Sequence, residues 1–188
     1  MTINRSDNFP KSFSIDTSPG WPDVNEPIVN VRSPEHVLGP HAGEFVNLRI
    51  YPESGSQWFA ELEIGIKGDK HVETCASPDP RCCFVLAGGQ VYLIDTFTHE
   101  ILPVNGYPIT QLKADVYRET VWLVEFSRIT CVSRDGSIVW RSDVLVSDDL
   151  YVIEIRKDSF TYEGATHGEV VHRTRALSDG QPIPATYP

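Results

Sequence analysis

The stretch His71-Val72-Glu73-Thr74-Cys75 sets an imidazole, a carboxylate and a thiol at alternate positions, and Pro80-Arg81-Cys82-Cys83 follows closely. Alternate residues of an extended strand share a face, so His71, Glu73 and Cys75 line up on one side. Imidazole nitrogen and thiolate sulfur are the ordinary ligands of zinc in tetrahedral sites. Consecutive strand residues point to opposite faces, so Cys82 and Cys83 cannot both reach one ion without a bend. A site built from His71, Cys75 and Cys82 is therefore the metal arrangement that the spacing allows. The plainer chemistry is that of reduced, partly buried cysteines near a strand end. The expectation is no metal and no cofactor.

The order of these residues invites comparison with the zinc deaminase signature, H-x-E followed by P-C-x-x-C. The comparison fails, because adjacent cysteines stand in place of C-x-x-C and no helix is predicted to carry the ligands. His167 and His172, in Thr166-His167-Gly168-Glu169-Val170-Val171-His172, are an odd number apart and face opposite ways on a strand. They read as surface histidines. Nucleophile-elbow, phosphate-loop and dinucleotide fingerprints do not occur.

A third cluster is acidic. Asp143, Asp148, Asp149 and Glu154 fall close together but lack the spaced oxygens of a calcium loop. Their ordinary role is a solvated turn. They are also the first candidate patch for a basic partner. The whole chain carries 26 acidic and 16 basic residues, a formal charge of −10. A field of that sign repels phosphate backbones and argues against nucleic-acid binding.

The N-terminus has no apolar core of a secretory signal, and no apolar run approaches a membrane span. These features predict a cytoplasmic protein with four reduced cysteines.

Proline divides the 188 residues. Six of the 14 prolines lie in residues 1–43, which read as an extended arm pinned by Trp21, Val29 and Val31. Residues 44–188 read as a single all-β domain. Val46, Leu48 and Ile50 alternate with polar residues, as do Trp58, Ala60, Leu62, Ile64 and Ile66. The latter run predicts a half-buried strand with Glu61, Glu63 and Lys67 in solvent. Gly88-Gly89 predicts a two-residue hairpin that sets Leu86 opposite Val91 and Phe84 opposite Leu93. Asn105-Gly106 predicts another, with Pro103 opposite Pro108. Only Tyr107 to Val121 has helix-like spacing. Of the four tryptophans, Trp21 and Trp140 are placed nearest the surface.

Val91 to Leu102 and Ile129 to Trp140 each resemble the strand–turn–strand element of quinoprotein-type and WD-type propeller blades. The first departs from the pattern, with His99 where glycine is usual and Pro103 where tryptophan is usual. The turn positions Gly55, His99, Gly136 and Gly180 are spaced by 44, 37 and 44 residues, near the blade length of such proteins. The predicted fold is an antiparallel meander of about ten strands forming a β-sandwich or open barrel. The alternative is a small four-bladed propeller-like fold.

The functional expectation is a non-catalytic binding or interaction module for a basic protein, of immunity or scaffold type. Homo-oligomers through arm or edge-strand exchange are a further expectation. The competing class is a small hydrolase or metal-dependent enzyme on a β scaffold.

Overall fold

The computed structural model describes residues 4–6, 8–17, 20–31, 44–64, 71–104, 108–178 and 180–183. These residues form seventeen strands and no helix. The chain divides into two units, Met1–Pro108 and Ile109–Pro188.

The first unit contains β1 (Asn4–Ser6), β2 (Phe13–Asp16), β3 (Ile28–Val31), β4 (Phe45–Pro52), β5 (Trp58–Glu63), β6 (Val72–Ala76), β7 (Cys82–Ala87), β8 (Gln90–Asp95) and β9 (Ile101–Val104). They make two sheets, ordered β2-β4-β5-β3 and β1-β6-β7-β8-β9. The core lies between them. Val46, Leu48, Ile50, Trp58, Ala60 and Leu62 come from the first sheet, and Val72, Cys83, Val85, Tyr92 and Ile94 from the second. Complete burial of each large side chain contributes roughly 1.5–3 kcal/mol. Two aromatic residues also use their polar ends. The Trp58 indole N–H donates to the Thr96 carbonyl at 2.9 Å, and the Tyr92 hydroxyl donates to the Glu63 carbonyl at 2.6 Å.

The Gly88-Gly89 turn has φ values of 52° and 94°. Its register pairs Ala87 with Gln90, Leu86 with Val91 and Phe84 with Leu93, as predicted. Described residues of the N-terminal arm enter the sheets as β1, β2 and β3. β2 pairs antiparallel with β4, and β3 pairs parallel with β5. β5 is more enclosed than its alternation predicted, because Phe59 and Glu63 are buried on the face expected to meet solvent. The Arg49 guanidinium lies over Phe59, 6.0 Å from the ring centre.

The second unit contains β10 (Ile109–Asp115), β11 (Thr120–Glu125), β12 (Ile129–Val132), β13 (Ile138–Arg141), β14 (Asp148–Ile155), β15 (Ser159–Thr166), β16 (Glu169–Ser178) and β17 (Gln181–Pro182). They form two antiparallel meanders in chain order, β10 to β13 and β14 to β17. Their shared core is aromatic. Trp122 packs edge-on against Trp140 at 5.3 Å and Phe160 at 5.2 Å, and Phe160 stacks on Tyr162. Trp140 is therefore buried, contrary to its predicted surface position.

The helix-like stretch is also a hairpin. The Asp115 carboxylate accepts from the Tyr117 N–H and from Arg118, and Glu119 takes φ 52°, so the chain reverses instead of winding.

Both propeller-like segments are hairpins, β8–β9 and β12–β13. All four turn positions that set the sequence spacing have positive φ: Gly55 109°, His99 64°, Gly136 82° and Gly180 81°. His99 thus occupies a glycine conformation. Its ring lies 4.6 Å from that of Trp58.

The Asn105-Gly106 turn lies outside the described residues. Val104 pairs with Val91 and Ile109 with Glu125, so the flanking strands belong to different sheets. Pro103 stands opposite Tyr92 on an edge strand, where a missing N–H leaves no ladder bond unmade.

Candidate functional site

Among the described residues of the first unit, the most exposed large apolar side chains sit on one short loop, Gly20 to Pro27. Trp21 is 87% exposed and Val24 is 102% exposed, and Ile28 follows at 53%. Exposed tryptophan on a wandering loop would mean little. This loop is tied at several points. The Glu26 N–H donates to the Asp23 carbonyl at 2.9 Å, and the Asp23 N–H donates to Glu26 Oε2 at 3.1 Å. Arg49 Nε donates to Glu26 Oε1 at 2.9 Å, and its Nη2 donates to Glu26 Oε2 at 3.2 Å and to the Trp21 carbonyl at 3.0 Å.

The Glu26 side chain is only 2% exposed and that of Arg49 17%. A two-pronged arginine–carboxylate pair at that burial fixes geometry as well as charge. The Phe59 N–H then donates to the Pro27 carbonyl and starts the β3–β5 ladder. The result is an indole and an isopropyl group held in water, with the exposed Asp23 between them in sequence.

Sequence reading expected Trp21, Val29 and Val31 to pin the arm. Val29 and Val31 do pack on the core. Trp21 contributes its carbonyl only, and the clamp is Glu26 with Arg49, which the sequence reading missed. Twenty-three residues separate the two, and no local pattern marks them as partners.

The acidic candidates are held by separate local contacts. Asp143 is engaged by Arg175, with Oδ1 3.0 Å from Nη1 and Oδ2 3.2 Å from Nη2. Glu154 is engaged by Arg156 at 2.8 Å, and that hydrogen bond is the first cause holding its carboxyl below the usual range. Asp148 accepts from the Asp149 N–H, and Asp149 has φ 54°. Asp148 and Glu154 stand opposite Ala165 and Thr161, four residues and about 13 Å apart along β15.

The residues of the metal alternative are likewise separate. Cys75 pairs with Phe84 in the β6–β7 ladder, Cys82 pairs with Asp95 across β7–β8, and the His71 carbonyl accepts from Gly88. His71 is four residues from Cys75, about 13 Å along an extended chain. Among the described residues no group of three or more metal-ligating side chains converges.

All four cysteines are free thiols. Burial is the first cause pushing Cys82 and Cys131 each up to about 11, and it pushes Cys83 up further. At neutral pH these are protonated, weakly nucleophilic groups. A recess of about 30 Å3 lined by Lys11, Phe13, Ser14, Thr74 and Cys83 has room for a water or two.

Among the described residues no helix is long and apolar enough to cross a membrane. No protein-family model matches the chain, and no curated protein matches it.

Proposed function

We propose that this chain is a non-catalytic interaction module and that the Gly20–Pro27 loop is its contact surface. The observation that carries this reading is the 87% exposed Trp21 on a loop clamped by the Glu26–Arg49 pair. Tryptophan is enriched among residues that dominate binding energy, and a preformed loop loses little freedom on docking. The partner is a basic protein surface. The formal charge of −10 would speed its approach, and Asp23 stands beside the apolar anchor to receive a cation. An immunity-type protein that neutralises a basic toxin is one concrete form, and an acidic scaffold is another. Four free thiols support a reducing compartment such as the cytoplasm.

The test is affinity capture with the full chain and with Trp21→Ala as parallel baits, eluted by a salt gradient. The expected result is a basic protein that is released as salt rises and held about 30-fold more weakly by Trp21→Ala, the effect of removing one hot-spot side chain. Equal retention by both baits, or retention indifferent to salt, overturns the proposal.

A further inference from the structure

The longest described strand has a side along which few described residues lie. β16 runs ten residues, yet β17 covers only Leu177 and Ser178, and no other described strand lies along its outer edge. Which groups face outward follows from the β15–β16 turn. His167 and Gly168 both have positive φ, 52° and 82°, and Thr166 closes the turn opposite Glu169. The closing pair of such a two-residue hairpin exchanges both hydrogen bonds, and bonded pairs then alternate.

Glu169, Val171 and Arg173 therefore turn their backbone groups toward β15. Val170, His172 and Thr174 turn theirs away. The Ile183 N–H reaches the Ala176 carbonyl at 3.1 Å, one step further along the same outward series. Val170 is 83% exposed, and Glu169, His172 and Arg173 are exposed beside it. An open edge of this length pairs readily with another strand.

The residue order selects the partner. When β16 is laid antiparallel on itself about Val171, the outward-facing Val170 and His172 bond one another across the junction. Glu169 then falls opposite Arg173 of the second copy, and Arg173 opposite its Glu169. Among the described residues neither Glu169 nor Arg173 has an ion-pair partner within its own chain, whereas Arg175 is already bound to Asp143. Shifting the register by two residues would face His172 with His172 and Arg173 with Val171, and would set Glu169 opposite Arg175, which Asp143 already holds.

We propose that two copies of the chain associate through the outer edges of β16, antiparallel and centred on Val171. The acidic character of the whole chain does not forbid this. Distant charges are screened beyond ~8 Å at physiological ionic strength, and the strand itself carries two arginines and one glutamate.

Sedimentation of the full chain across a concentration series tests the proposal. The wild type should show a monomer–dimer equilibrium. Arg173→Glu sets two like-charge pairs across the junction and should weaken the dimer about tenfold or more. The exchanged double variant Glu169→Arg with Arg173→Glu restores both pairs and should recover the wild-type constant. Both sites are exposed, and unchanged circular dichroism confirms that folding is intact. A wild type that stays monomeric throughout, or an Arg173→Glu variant that associates as tightly as the wild type, overturns the proposal. So does a double variant no tighter than the single one.

Discussion

The hairpins β7–β8 and β15–β16 are built alike and live differently. Each turns through two residues with positive φ, and each keeps an unbroken antiparallel register from the turn outward. In β8 the residues Gln90 to Ile94 are all buried, and β9 covers the outer edge. In β16 no residue is buried, and among the described residues no strand covers the outer edge from Glu169 to Arg175. Turn geometry therefore sets which residues pair, while neighbouring sheets decide which are dry. The first hairpin holds a core together. The second has backbone groups to offer a partner.

That contrast can be broken most sharply by substituting one side chain in each hairpin. Leu86→Ala removes a completely buried group and should destabilise the protein by about 2–5 kcal/mol in denaturant titration. Val170→Ser, at dilutions where the chain is monomeric, should stay within about 0.5 kcal/mol of wild type.

The turns offer the next largest effect. Gly89 has φ 94°, so Gly89→Ala should cost about 1–2 kcal/mol through backbone strain alone. His167→Asn creates the favoured Asn-Gly pair and should raise stability by about 0.5 kcal/mol. Equal responses of the two turns to thermal melting would show that they are not the independent devices described here.

A smaller effect lies in acid. The Asp135 carboxylate accepts from the Ser133 hydroxyl and from the Ser137 N–H at 3.0 Å. These bonds, that to Ser133 foremost, lower its pKa to about 2. The folded value lies below the unfolded one, so its contribution is complete above about pH 4 and lost as pH falls through about 2. An NMR titration of the Asp135 carboxyl should show that midpoint, and Ser133→Ala should return it toward the ordinary value.

Much of the scaffold was legible because it is local. Period-two alternation marked β4, and Gly88-Gly89 fixed a register that holds residue for residue. The four turn positions all proved left-handed, even where histidine replaces glycine. What sequence could not show depends on distant partners. Glu63 alternates as a solvent residue yet is buried, and Trp140 ends its strand near the surface in pattern but packs on Trp122. The described residues form seventeen strands where the sequence pattern predicts about ten. One reason is that the proline-rich segment supplies short edge strands whose identity comes from the strands beside them.

The candidate site was harder still. The exposure of Trp21 was half anticipated, but its clamp joins residues that no motif links. The acidic cluster looked continuous in sequence, yet two of its members are occupied by Arg175 and Arg156.

The most direct measurement is amide hydrogen exchange of the full chain at low and high protein concentration. Amides of Val91 to Ile94 should exchange only with global unfolding at either concentration. Those of Val170, His172 and Thr174 should exchange fast when dilute and slow when concentrated. Uniform protection of both hairpins in dilute solution, or fast exchange in β8, would contradict the division between a sealed strand and an open one.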